Sequence, residues 1–251
     1  STKKKEETFM SIISRIRHFI PPYAVFPLFL TLLWNQAVYC GARIIAAGFP
    51  HYDFTTHFDR LIPVVPFFTS IYFLAFPFWA IGYILCVRIG RDQAMTLLCG
   101  DFLAKGVCLI FFLLLPTTNI RPEIAGRGIW ETLLLWLYRT DSPDNLFPSI
   151  HCLVSWLCFA GMRRQPTVPV LWQVAVLFMA LLVFLSTLFT RQHVIADVLG
   201  AVVIGEACYR IASIPRVRDC YGRIVSTFVF RQNTNLRRNR NRSDSSARSP
   251  H

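Results

Sequence analysis

Charge of one sign is scarce in this chain. Asp and Glu number 14 against 26 Lys and Arg, and all charged residues together make up 16% of the 251 positions. What fills the space is apolar: 54% of the residues are hydrophobic, and Phe alone occurs 22 times. A soluble domain of this length rarely carries so much apolar residue, so the composition points to a membrane class. The eight cysteines (Cys40, Cys86, Cys99, Cys108, Cys152, Cys158, Cys208 and Cys220) form no CxxC pair, and most lie inside apolar segments. That excludes a disulfide framework or a zinc site as the sequence reading, since Cys in such segments behaves as a small hydrophobe. No internal repeat is present. There is no acidic cluster of the kind that holds Mg²⁺, although Asp141 and Asp144 stand close together, so neither a metal nor another cofactor is expected. The opening STKKKEE lacks a cleavable signal pattern, and the first apolar segment is therefore expected to stay in place.

The net charge of +12 raises nucleic acid as a partner. Its placement argues against that, because the basic residues gather in the two tails and two short loops, which is the pattern of a chain whose partner is a lipid bilayer. About 20 mostly apolar residues are needed for one crossing. Six runs qualify or nearly so: 23–47, 64–87, 94–115, the short 149–162, 168–189 and 193–211. The predicted fold is all-α, a six-transmembrane-helix bundle. With an even number of spans both tails share one side. On that side stand Lys3, Lys4, Lys5, Arg15, Arg17, Arg88, Arg91, Arg163, Arg164 and the ten arginines from Arg210 to Arg248; the other side holds Arg60, Arg121, Arg127, Arg139 and Arg191. Lys and Arg bias places the tails in the cytoplasm. Three regions follow: 1–20, a basic tail in which 9–20 suits an interfacial helix; 21–213, the membrane domain; and 214–251, a basic tail expected to be disordered. The segment 128–138 reads as an amphipathic interfacial helix beside a lipid access path, or as ordinary surface packing. The i, i+4 pairs Asp101–Lys105 and Glu206–Arg210 read as structural ion pairs. The loop residues His51, Asp53, His57 and Asp59 are too loosely spaced for a metal site.

With this topology three motifs land on the outer side. They are Ile120-Arg121-Pro122-Glu123, Pro148-Ser149-Ile150-His151, and Arg191 to Asp197. His193 and Asp197 are spaced i, i+4 and share a helix face. A carboxylate on one ring nitrogen fixes the tautomer and leaves the other nitrogen to attack, and it stabilises the imidazolium that forms. Pro148 and Ser149 set a helix start whose N–H groups face an anion. His151 in the first turn can protonate a leaving oxygen. Arg121 carries a planar fork suited to phosphate oxygens; an interfacial anchor is its bland alternative. Phosphoryl transfer asks mainly for this positioning and charge.

On these residues the chain resembles the type 2 phosphatidic acid phosphatase superfamily, whose motifs read KxxxxxxRP, PSxH and SRxxxxxHxxxD. The second motif matches at Pro148, Ser149 and His151. The third matches at Ser186, His193 and Asp197. The first keeps Arg121-Pro122, with Leu114 where the family has Lys, and Thr187 stands where the third motif has Arg. Lys105, sixteen residues before Arg121, is too far along a helix to replace that Lys. Arg191 is the candidate for the missing cation. Ile in the PSIH motif resembles the branch that includes inositol phosphorylceramide synthases and related lipid phosphotransferases. The resemblance spans roughly 50–212. It implies His193 as nucleophile, Asp197 as its support, His151 as general acid and base, and Arg121, Ser149, Ser186 and Arg191 as phosphate-binding residues. The expected activity is a metal-independent lipid-phosphate phosphatase working through phosphohistidine outside the cytoplasm, in a bacterial inner membrane. Transfer to a lipid hydroxyl is the alternative, and a non-catalytic lipid-binding or transport protein the third. The lipid and the oligomeric state are not legible.

Overall fold

Each of the six apolar runs becomes a helix within a few residues of its expected limits. The computed structural model describes residues 19–228; all but the last two residues of the expected interfacial helix at 9–20, and the C-terminal tail from 229 onward, lie outside the described residues. Helix α1 (Pro22–Ala46) begins with Pro at its first position, where no N–H is needed, and holds one π turn at Ala37–Gly41. A short α2 (His57–Leu61) follows in the connecting loop. Helices α3 (Phe68–Ile89) and α4 (Arg91–Leu114) are separated by Gly90 alone. Next come α5 (Ile129–Thr140), α6 (Ile150–Met162), α7 (Val170–Phe189) and α8 (Ile195–Ala212). The short strands β1 (Tyr52–Asp53) and β2 (Thr117–Thr118) pair in parallel and join the loop after α1 to the loop after α4.

Four helices (α1, α3, α4 and α7) are long and apolar enough to cross a membrane. Their outward surfaces agree: Leu32, Phe76, Ile81, Val170, Leu171, Trp172 and Phe178 are all exposed. In water such contiguous apolar surface would drive association, whereas acyl chains solvate it. Helix α6 is shorter and its buried face is wide, and α8 carries Asp197, Glu206 and Arg210. Helix α6 packs between α3 and α7, and α8 lays one face against α4 and α6.

Close approach of α3 and α6 depends on paired small residues. A Cβ on Gly82 would lie 2.7 Å from the Cys158 sulfur, and one on Gly161 would lie 2.6 Å from the Cys86 sulfur. The arrangement is reciprocal, and small residues at such crossings let apolar helices pack tightly without polar groups. The expected ion pairs are present: Lys105 Nζ lies 2.9 Å from Asp101 Oδ2, and Arg210 Nε lies 2.6 Å from Glu206 Oε1.

One expectation is corrected. The region from 214 onward begins as a helix, α9 over residues 215–228, and not as disordered chain. Pro215 suits the first helical turn. Val217, Tyr221 and Val225 recur every four residues, so they share a face, and Tyr221 and Val225 are buried against the main core. Arg218 also reaches Asp92 at the start of α4, 3.2 Å away.

Candidate functional site

The motif residues meet because several loops at one end of the bundle are tied together. The backbone N–H of Ser149 donates to the carbonyl of Asp197 at 3.2 Å, joining the start of α6 to the first turn of α8. Val65 N–H donates to Phe189 O at 3.0 Å, and the β1–β2 pair closes the other side. The Phe147–Pro148 peptide is cis. The N–H groups of Gln192 and His193 both donate to Thr187 O, at 3.0 and 3.1 Å, so the end of α7 fixes the backbone of His193.

His193 Nδ1 lies 3.1 Å from Asp197 Oδ2, and both residues are buried. With that nitrogen occupied, Nε2 is the one left to face the cavity. The same Asp197 oxygen accepts from Val194 N–H at 3.1 Å, which holds the carboxylate at the helix start. The His151 ring sits 6.0 Å from the His193 ring, centroid to centroid. It is caged by Tyr72 at 4.4 Å and Trp79 at 5.2 Å. Both histidines line a cavity of about 850 Å³ walled by α1, α3, α5 and α6, with Phe73, Phe76, Ile84 and Val154 on its apolar walls and Lys105 of α4 also lining it. Two imidazoles facing one space, one backed by a carboxylate, can carry a nucleophile and a proton donor for a single tetrahedral centre.

The phosphate-binding expectations fare differently, and each difference has a physical reason. Ser149 Oγ accepts from Cys152 N–H at 3.3 Å and is fully buried, so it caps α6 and does not face the cavity. Ser186 Oγ donates to Val183 O at 2.7 Å inside α7. Arg191, in a left-handed backbone conformation, spreads its guanidinium over the carbonyls of Asp59, Arg60 and Ile62, the last at 2.7 Å. These carbonyls, at and just beyond the C-terminal end of α2, include ones no helical bond satisfies, and Arg matches them better than solvent would. Arg121 donates to the carbonyls of Tyr138 (3.1 Å) and Asp141 and to the side chain of Gln192, with its guanidinium 4.7 Å from the Tyr138 ring. Neither arginine lines the cavity.

Residues that the motifs did not signal line the cavity or brace the helices around it. Asp141 lines the cavity and accepts from Tyr72 OH at 2.9 Å and from Tyr39 OH, which the π turn of α1 presents. Burial pushes its carboxyl up, but His151, the two tyrosine hydroxyls and His193 outweigh that and hold it below the usual carboxylate range. Asp144 is pushed up by burial, against the pull of Arg43 at 3.0 Å. Asp59 accepts from Ile195 N–H at 2.7 Å and so caps the helix that carries Asp197. Burial pushes its carboxyl up, but hydrogen bonds from Thr56 and Ile195, together with Arg191, bring it below its ordinary value. The signal available in the sequence was modest: Gln192 adjoins His193, and Asp141 lies in a Pro-containing loop ten residues before His151. Among the described residues no group of three or more His, Cys, Asp or Glu side chains is placed to hold a metal ion. Comparison with protein-family models, with curated proteins and with solved structures finds no match, so the likeness to a family rests on the motif residues themselves.

Proposed function

We propose that the chain is an integral-membrane lipid-phosphate phosphatase of the type 2 phosphatidic acid phosphatase kind, with six spans, both termini cytoplasmic and its site at the outer face. The observation that carries this reading is the 3.1 Å contact from His193 Nδ1 to Asp197, with His151 across the same cavity. His193 Nε2 attacks phosphorus, a P–N bond forms, and the P–O bond to the lipid alcohol breaks. Protonated His151 gives its proton to the departing oxygen. Neutral His151 then takes a proton from water, the water oxygen attacks phosphorus, and the P–N bond breaks to release phosphate. Asp197 stabilises the imidazolium of the phosphorylated state. The apolar walls of the cavity suit a lipid chain, and the excess of Lys and Arg in the tails supports the orientation.

A second reading keeps the chemistry and replaces water by a lipid hydroxyl. It is favoured by Asp144 Oδ1 and Asn145 Oδ1, buried acceptors with no partner on residues that line the cavity. Such atoms are costly unless something donates to them. Purified protein given phosphatidic acid in the presence of a chelator is expected to release inorganic phosphate and to form acid-labile phosphohistidine. A strict metal requirement would sink the mechanism. A new labelled lipid in place of phosphate, on adding ceramide or diacylglycerol, selects transfer.

A further inference from the structure

The charges that line the cavity are few and oddly placed for a site that would grip a phosphate dianion. Lys105 lies on its wall but is paired with Asp101, 2.9 Å away, whose other oxygen accepts from Tyr83 OH at 2.6 Å. Asp144 faces the cavity and is paired with Arg43. Asp141 faces it too, held by two tyrosine hydroxyls and not by a cation. Arg121 and Arg191 have their guanidiniums committed to backbone carbonyls and to Gln192. Beyond these, His151 and His193 are the titratable groups that face the space. A doubly charged phosphoryl group would therefore meet a carboxylate beside the nucleophile, with no uncommitted guanidinium to balance it.

Gln192 is placed to serve as the donor instead. It adjoins His193, is 2% exposed, and lines the cavity. A guanidinium only donates, so Arg121 requires the amide oxygen of Gln192 on its side, which settles the orientation of the amide. The Nε2 group is then the half left for the cavity, and it is a buried donor with no partner. A buried NH₂ in this state is stabilised by any acceptor that arrives.

We infer that the site takes its phosphoryl group in singly charged form, as a protonated monoester or a diester, with Gln192 Nε2 as the neutral donor to a phosphoryl oxygen and Arg121 as the residue that positions that amide. This rests on the reading of the cavity as a phosphoryl-transfer site. The identity of Arg121 as a phosphate clamp is thereby replaced by a relay: Arg121 holds Gln192, and Gln192 meets the substrate. Neutral donors favour low charge because they bring no compensating cation, while Asp141 adds repulsion for each further negative charge.

The test uses two lipids that the enzyme cannot cleave, a diacylglycerol phosphonate and its monomethyl ester, bound to the full chain in detergent micelles. The ester carries one charge at every pH. The phosphonate carries two above its second ionisation and one below it. At alkaline pH the ester is expected to bind about 10-fold more tightly, and the gap should close as pH falls and the phosphonate takes up its proton. Asp141, Asp144, His151 and His193 face both ligands, and once the phosphonate is protonated their charge acts on the two alike. Gln192→Ala should weaken the ester about 10- to 100-fold, and Gln192→Lys should turn the preference toward the dianion. Arg121→Lys, which keeps a charge but loses the fork that orients the amide, should weaken both ligands while leaving the preference for one charge in place. Tighter binding of the dianion by the wild type, or unchanged ester binding in Gln192→Ala, overturns the inference. Failure of the wild type to form phosphohistidine from any lipid phosphate overturns the underlying reading instead, and the binding ratio distinguishes the two failures.

Discussion

Two acid–base pairs with the same sequence spacing lie within this bundle, and they behave differently. Asp101–Lys105 and His193–Asp197 are both i, i+4, both buried, and separated by 2.9 and 3.1 Å. In the first, the lysine charge meets one carboxylate oxygen and Tyr83 donates to the other. In the second, the carboxylate holds one ring nitrogen and the helix start while the other nitrogen faces open space. Spacing alone does not tell a structural pair from a reactive one. What tells them apart is whether the side chain that borders the cavity carries a free lone pair, as a neutral imidazole does and an ammonium does not.

The sharpest way to break the comparison is His193→Ala. On the proposed mechanism it removes the nucleophile, so phosphate release should fall by roughly 10⁴-fold or more while the melting temperature in detergent stays near that of the wild type. Asp197→Asn is next. The contact to Nδ1 survives in shape but loses its charge, so turnover should drop by about 10²- to 10⁴-fold, measured as the rate of phosphohistidine formation in a rapid quench. The corresponding change in the other pair, Asp101→Asn, strands a buried lysine. It should cost about 3–5 kcal/mol of stability and show itself in thermal melting of detergent-solubilised protein. If Asp101→Asn left stability unaltered, the distinction between the two pairs would lose its basis.

Smaller effects sharpen the same contrast. Asp141 lies on the cavity wall, with its carboxyl held below the ordinary value. A depressed folded-state pKa contributes stability that is present above about pH 4, the unfolded value, and is lost as pH falls through the folded one. Asp141→Asn should therefore flatten the acid limb of the stability profile below about pH 5, read by melting at each pH. At the bottom of the scale is a third i, i+4 pair, Glu206–Arg210, in which Arg210 is 74% exposed and Arg163 also holds the glutamate at 2.7 Å. Arg210→Ala should change stability by no more than about 0.5 kcal/mol.

The helices were legible because membrane solvation demands long apolar runs, and those runs leave little room for other readings. The run at 94–115 became Arg91–Leu114 and the run at 168–189 became Val170–Phe189. Helix α9 was missed because a basic composition outweighed the spacing of Val217, Tyr221 and Val225, whose burial depends on a surface built by other helices. The nearness of His193 to Asp197 and the place of His151 in the first turn of α6 were legible from spacing and a helix start, although His193 stands two residues before α8 and not on its face. Asp141, Tyr39 and Tyr72 were not, because three separate elements bring them together. Arg121 and Arg191 carried a plausible role as cations, yet backbone carbonyls presented by neighbouring loops and turns captured them. Where such carbonyls end up is a property of the folded chain and leaves no trace in a motif.

The bond from Ser149 N–H to Asp197 O has a consequence for descent with change. It is made by main-chain atoms that every amino acid except proline supplies at the donor position. The two segments that bear the histidines are thus tied by something substitution cannot easily remove. Substitutions around the cavity can therefore alter its lining without parting the start of α6 from the first turn of α8.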